Sequence, residues 1–397
     1  MTRSSGALHI ADMHSTMLRL IRGGLCLLVA ALLWLPSLSL WFRADRREVA
    51  EALLARQLAR WEHPERAELQ RLRASNPEWD LMARTFSALA FANLALGEPA
   101  DRSRHLVALD RIIDEALADE RRGSSHFLLA YARRAPMRDL ASSSLFVEGE
   151  IALMLAARQV VDPDPARAVS LRERITRIVA QLERGPVLSG ESYPDEAWTF
   201  CNTVALAAIR LFDVVSGEDH RALFERWIAT ARAHLVDPRT GLLVSSYTWD
   251  GTPLDGPEGS TLWLAAHMLR LIDEDFARDQ YDRARAELGE GLLGFAWARE
   301  WPSSWRGPVD VDSGPTIPIL EANAGSSGLA LVGARSFGDD DYLEGLLTSL
   351  EIGGFPIDEQ DQRRYGAGNA LADAVLLYAL VEGPLWQRAG VGVEVAR

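Results

Sequence analysis

Between Tyr193 and Cys201 the chain gathers a tyrosine, two carboxylates (Asp195 and Glu196), a tryptophan (Trp198), Phe200 and a thiol, and Asn202 follows at once. Residues of these types can move protons around an apolar molecule. Loss of water from an alcohol needs an acid to protonate the leaving hydroxyl and a base to take a proton from carbon. A carboxyl kept protonated in an apolar pocket could be that acid, and Asp195 or Glu258 is the candidate. Cys201 or Tyr193 could take part in proton transfer. Trp198, Phe200 and Trp263 could wall a dry pocket and turn their π faces to developing positive charge.

Three further junctions pair polar groups with an apolar helix. "LDGPEGSTLW" (254–263) offers Asp255, Glu258, Ser260 and Trp263, and "GPVDVDSGPTIP" (307–318) offers Asp310, Asp312 and Ser313. "RRYGAGNALADA" (363–374) offers Tyr365, Asn369 and Asp373. Helix capping alone accounts for Asp195, Ser260 or Ser313 taken singly, and Pro194 and Pro315 are usual first-turn residues. What capping does not need is the surplus: Glu196 beside Asp195, Glu258 beside Asp255, Asp312 beside Asp310. A solitary buried cysteine is ordinarily a small core hydrophobe, yet a place in the first turn of a helix would lower the pKa of the Cys201 thiol. The eight histidines form no HExxH, and CxxC, P-loop, dinucleotide-binding and GxSxG motifs are absent. The expectation is therefore no metal and no organic cofactor.

The elements that would position these residues read almost entirely as helices. "RREVAEALLARQLARW" carries a stripe through Val49, Leu53, Leu54, Leu58 and Trp61 at helical spacing. Helical segments then follow in pairs, joined by short Gly, Pro and Asp turns: 145–161 with 165–185, 196–215 with 218–235, and 260–273 with 276–289. The last are 315–335, 340–351 and 367–382, with Asp339, Asp340 and Asp341 capping and flanking one of them. Strand-like alternation is brief, in "GLLVSSYTW". Such hairpins build an open α-solenoid or a closed α/α toroid. A solenoid should show a fixed repeat, and none is visible. The fold class expected is all-α, an (α/α)6 barrel over residues 43–397. In a toroid the inner helices run parallel, so their N-terminal loops would converge on one mouth and bring the four junctions together.

Residues 23–42 hold no charge. Twenty or so apolar residues are about what a helix needs to cross a bilayer, so an uncleaved single-pass anchor in a bacterial inner membrane is expected after a tail of residues 1–22. Arginines flank both ends, and they leave the side of the soluble part open. All 42 basic residues are arginine, which points to a GC-rich bacterial genome. The net charge of −14 argues against a nucleic-acid partner. Cys26 lies in the apolar segment, so Cys201 is in effect a lone thiol and no disulfide framework exists.

At "YPDEAWTFCNTVALAAIRL", "DPRTGLL", "DGPEGSTLWLAAHML", "DEDFARDQY", "DVDSGP" and "SSGLALVGARSFGDDDY" the sequence resembles the linalool dehydratase/isomerase-like family, over about residues 140–382. The resemblance implies an (α/α)6 barrel and a homo-oligomer. It also implies an enzyme that interconverts a tertiary terpene alcohol with an isomeric primary alcohol and dehydrates it, without metal or organic cofactor. Cys201 matches the family's cysteine at the start of an inner helix. The family's second cysteine, a few residues upstream, has no counterpart: Ser189 and Ser192 occupy that region. The aspartate, histidine and tyrosines that the family places around the alcohol have counterparts in kind only, in Tyr193, Asp195, Glu196 and Glu258.

Two other functions fit the same residues. An inverting glycoside hydrolase would use two carboxylates ~6.5–9.5 Å apart, such as Glu196 with Glu258 or Asp312, with tryptophans stacked on sugar rings. A non-catalytic scaffold would use the barrel mouth to hold a partner. Across these readings the candidate catalytic residues are Tyr193, Asp195, Glu196, Cys201, Glu258 and Asp312. The candidate substrate-binding residues are Trp198, Phe200, Asn202, Ser260, Trp263 and Tyr365, and the partner expected is a small hydrophobic molecule.

Overall fold

In the computed structural model, residues 5–62, 67–309 and 313–391 are described. Fifteen α-helices appear among them: α1 (Ser5–Trp41), α2 (Arg46–Glu62), α3 (Ala67–Ser75), α4 (Pro77–Gly97), α5 (Arg102–Arg121), α6 (Leu145–Val161), α7 (Pro165–Arg184), α8 (Thr199–Ser216), α9 (Arg221–His234), α10 (Gly259–Leu269), α11 (Glu274–Leu288), α12 (Ala324–Phe337), α13 (Asp340–Gly353), α14 (Ala370–Val381) and α15 (Pro384–Arg388). Helices α4, α6, α8, α10, α12 and α14 each contact the next, and α14 returns to α4, so they close a ring. Around it, α5 lies across α4 and α6, α7 across α6 and α8, α11 across α10 and α12, and α13 against α12. The N-terminal α2 completes the outer layer by packing on the last inner helix.

The division into two layers follows from side-chain size and polarity. Inner helices are buried on nearly every face and rich in alanine, for example Ala83, Ala88, Ala90, Ala92 and Ala95 on α4 and Ala205, Ala207 and Ala208 on α8. Small residues let backbones approach: a Cβ added at Gly149 of α6 would stand 3.4 Å from that of Ala205. At Gly259 the space is closed outright, since an added Cβ would lie 2.0 Å from Ser326 Oγ of α12. Outer helices bury one stripe only, as α7 does with Leu171, Ile175, Ile178 and Leu182.

Asparagine side chains cap three of the inner helices, α4, α12 and α14. Asn76 accepts hydrogen bonds from the Glu78 and Trp79 amides with Pro77 at the first position of α4, and Asn369 accepts from Leu371 and Ala372 at α14. Asn76→Ala should therefore cost about 1 kcal/mol, read as a lower urea midpoint with an unchanged slope. The closing contact is electrostatic: Asp373 of α14 takes Arg56 at 3.0 Å and Arg60 at 2.9 Å from α2.

Small antiparallel sheets decorate the rim, more than the single strand-like stretch in the sequence foretold. They are β1 (Ala197–Trp198) with β2 (Ser246–Tyr247) and β3 (Pro253–Asp255), β4 (Gly289–Leu292) with β5 (Phe295–Ala298), β6 (Thr316–Ile317) with β7 (Ala322–Asn323), and β8 (Pro356–Glu359) with β9 (Gln362–Tyr365). The helix expected from residue 315 begins at Ala324 instead. Asn323 caps it, and the preceding residues fold into the β6–β7 hairpin. Helix α1 is longer than the charge-free stretch suggested. Its apolar span runs from Thr16 to Trp41, and none of its residues is buried.

Candidate functional site

A cavity of about 340 Å³ opens where the N-terminal ends of the six inner helices meet. That size lies at the lower end of small-molecule sites, roughly 300–1,000 Å³. Every inner helix contributes: Glu78, Trp79 and Met82 from α4, Phe146 from α6, Phe200 and Cys201 from α8, Ser260 and Thr261 from α10, Ala324, Gly325, Gly328 and Leu329 from α12, and Leu371, Ala372 and Val375 from α14. Asn76, Leu129, Tyr131, Tyr193, Trp198, Ser313 to Pro315 and Ala367 to Asn369 add to the wall. The lining is largely aromatic and aliphatic, and few of its groups can exchange protons.

The segment before α8 is built around a tight turn. Tyr193 and Glu196 exchange backbone hydrogen bonds of 3.1 and 2.9 Å across Pro194–Asp195, and Asp195 takes the left-handed φ of +57°. Proline followed by a positive φ is the pattern of a type II turn. The buried Glu191 carboxylate steadies it by accepting the amides of Asp195 at 2.7 Å, Arg138 at 2.8 Å and Asp139 at 2.9 Å. Asp195 is consequently not an α8 cap, and it is not held in an apolar pocket. Its side chain is 46% exposed, 3.7 Å from Arg138, and outside the cavity wall.

Glu196 works behind the wall. It accepts Trp198 Nε1 at 2.6 Å and the Tyr131 hydroxyl at 3.3 Å, tying together two lining aromatics. Tyr131 stacks on Tyr193 with ring centroids 4.3 Å apart. The Tyr193 hydroxyl, on a residue only 4% exposed, has no hydrogen-bond partner among the described residues. An unsatisfied buried hydroxyl costs about 1–3 kcal/mol, a cost that a ligand's oxygen in the cavity would offset.

Cys201 is the third residue of α8. The helix start was expected to lower its thiol pKa; burial instead raises it well above the ordinary value of 9.0, with the Glu150, Glu78 and Glu196 carboxyls adding to the rise and the Ser192 hydroxyl opposing it. The site therefore holds a protonated thiol. In a Cys26→Ser chain, Cys201 should react with iodoacetamide at pH 7.5 at least tenfold more slowly in the native state than in urea, as counted by mass spectrometry.

Glu150 sits one helical turn deeper on α6 than the lining residue Phe146. It is 2% exposed, and burial pushes its carboxyl up to about 7, opposed by the Thr85 hydroxyl of α4. Its helix neighbour Glu148 is held by Arg174 at 2.5 Å and Arg177 at 3.2 Å, and among the described residues no arginine holds Glu150.

The other expected residues are placed as follows. Ser260 lines the cavity and donates its hydroxyl to Glu300. Glu258 is buried as the residue before α10 but is outside the wall. Asn202 spans Gly190, accepting from its amide at 2.9 Å and donating to its carbonyl at 3.2 Å, so it braces the loop and does not face a ligand. Trp263 is fully buried away from the cavity, donating to Ser326 Oγ at 3.0 Å and packing on Tyr281 and Tyr342. Tyr365 donates to Glu351 at 2.6 Å and borders a separate polar cleft beside α2. Asp312, with Asp310, lies outside the described residues, although Ser313 lines the cavity. No histidine is among the described lining residues; His267 is locked in the core between Tyr378 at 2.6 Å and Ser336 at 2.5 Å. Among the described residues, no group of three or more His, Cys, Asp or Glu side chains is placed to hold a metal ion.

The profile of the linalool dehydratase/isomerase family matches residues 169–370, just over half of the 397-residue chain. The chain belongs to this family. The match takes in Tyr193, Cys201 and the α10 and α12 walls of the cavity, whereas Glu78, Tyr131 and Glu150 lie upstream of it. Among solved structures, this family member is similar to the unsaturated glucuronyl hydrolase of Bacillus sp. GL1. The TM-score is 0.51 and the identity 11%, over 77% of this chain and 86% of that one. The GH76 α-mannanase BT2949 of Bacteroides thetaiotaomicron gives a TM-score of 0.52 at 11% identity, over 89% of this chain and 99% of that one. These likenesses establish the (α/α)6 architecture and nothing about substrate.

Proposed function

We propose that this family member eliminates and shifts the hydroxyl of a small hydrophobic alcohol, with terpenoid alcohols as the substrate class, by acid–base chemistry alone. One observation carries the reading: an aromatic cavity at the barrel mouth presents together a buried thiol and a tyrosine hydroxyl without a partner among the described residues. Tyr193 and Cys201 donate hydrogen bonds to the substrate oxygen. Glu78, on the wall, supplies the exchangeable carboxyl. The C–O bond breaks with its electron pair going to oxygen, and the added proton makes the leaving group water. Trp79, Trp198 and Phe146 face the positive charge left on carbon. A proton lost from the neighbouring carbon to a carboxylate gives an alkene; water returning to the far end of an allylic cation gives the isomeric alcohol. No electrons are gained or lost overall. Helix α1 anchors the enzyme in a membrane, where such substrates dissolve.

The test is to incubate the purified full-length chain with a panel of short terpene and allyl alcohols and read volatile products by gas chromatography–mass spectrometry. Alkene and isomeric alcohol are expected from the wild type and not from Cys201→Ala. Reducing-sugar release from oligosaccharides, with no product from any alcohol, would overturn the reading.

A further inference from the structure

Large aliphatic side chains stand exposed on two neighbouring hairpin tips. Leu292 and Leu293, at the β4–β5 turn, are 61% and 42% exposed; Ile317, Ile319 and Leu320, at the β6–β7 turn, are 56%, 99% and 44% exposed. The tips form one face, because Trp297 of β5 donates its indole N–H to the Leu320 carbonyl at 2.9 Å, and Arg299 bridges Glu290 at 3.0 Å and Glu321 at 2.6 Å. No described residue covers them.

Gly294, next to Leu293, lies against the last turn of α1: a Cβ there would stand 2.6 Å from Ser39 Oγ. Ser39 is two residues from the end of the apolar span Thr16–Trp41. Arg43 to Glu344 at 2.9 Å and Arg46 to Asp340 at 2.8 Å hold the start of the barrel domain to α13, beside the same sheet. At 1.5 Å of rise per residue, the β4–β5 turn sits only ~3 Å from the end of the span. The second hairpin joins the cavity directly: Ser313, Gly314 and Pro315 line it, and β6 begins at the next residue.

We propose that the β4–β5 and β6–β7 tips dip into the lipid bilayer that holds α1, so that the rim of the cavity adjoins the lipid and an apolar alcohol enters from the membrane. This rests on the reading of α1 as an anchor. The tips bring apolar area to the interface, the charges between them, Glu290, Glu321 and Arg299, being paired with one another, and each exposed Leu or Ile gains free energy on burial. That gain holds the barrel at one tilt on the membrane.

Single-cysteine chains answer the question. In full-length Cys26→Ser/Cys201→Ser protein, Ile319→Cys, Leu292→Cys, Leu28→Cys (within α1) and Val169→Cys (60% exposed, on α7) each receive an environment-sensitive fluorophore. The proteins go into phosphatidylcholine–phosphatidylglycerol nanodiscs, with and without brominated acyl chains. Brominated lipid should at least halve emission at Leu28, Ile319 and Leu292 and leave Val169 unchanged. If Leu28 is quenched while Ile319 and Leu292 match Val169, the docking proposal is overturned and the anchor stands. If Leu28 escapes quenching, the anchor reading fails and takes the proposal with it. Shielding of Ile319 and Leu292 that depends on protein concentration, without bromine quenching, would show that a second copy covers the tips and would also overturn it.

Discussion

Tyr193→Phe should lower turnover about a hundredfold or more while leaving the protein as stable as the parent. The two halves of this expectation come from one atom. A donor aimed at a reacting oxygen in a water-poor site contributes about 10²–10³ in rate. The same hydroxyl has no partner among the described residues. Removing it therefore breaks no hydrogen bond, and the ring stays stacked on Tyr131. Urea unfolding should give a midpoint equal to or slightly above that of the parent. A variant that unfolds readily would show instead that the hydroxyl serves the fold. One that stays stable and keeps full turnover would remove Tyr193 from the chemistry.

Glu150→Gln should stabilise the protein above pH 7 and make its stability less dependent on pH. Burial raises the Glu150 carboxyl from 4.5 to about 7. Below 4.5 it is protonated both folded and unfolded, and its titration contributes nothing. As pH rises from 4.5 to 7, the unfolded chain releases a proton that the folded chain keeps, so folding grows less favourable. Above 7 the full penalty of a buried charge applies, on the order of 3 kcal/mol. Glutamine removes that charge at every pH. The denaturation midpoint of the parent, followed from pH 5 to pH 8, should fall relative to that of the variant. Parallel curves would show that Glu150 titrates normally. Because the Glu150 charge also helps hold the Cys201 thiol up, alkylation of Cys201 at pH 9 should be faster in the variant.

Much of this arrangement was legible in the chain. Helical hairpins without a repeat implied a closed ring, and a ring implies that helix starts far apart in sequence meet at one mouth. Tyr193, Trp198, Phe200, Cys201 and Ser260 do meet there. The misplacements have local causes. Asp195 reads as a helix cap, but Pro194 and a left-handed Asp195 close a turn that carries the carboxylate to the surface. Trp263 reads as a pocket wall because of its distance from the helix start. Helix α10 is buried on almost every face, and its rotation turns that indole toward Tyr281 and Tyr342. Glu78, Trp79 and Phe146 line the cavity from α4 and α6, whose sequences read as core helices. Two glutamates inside the apolar run "LFVEGEIALM" were the available signal, and only the fold separates Glu148, held by arginines, from Glu150, which is not.

The central claim is that this cavity breaks a carbon–oxygen bond by moving protons. Solvent labelling tests it most directly. The full-length chain, dialysed against a chelator, is incubated with the alcohol panel in water enriched in oxygen-18, and recovered alcohols and volatiles are analysed by mass spectrometry. Departure and return of water should place oxygen-18 in both the recovered and the isomeric alcohol, alongside alkene, and Tyr193→Phe should suppress all three together. Alcohol recovered unlabelled, with no alkene, from every member of the panel would contradict the claim.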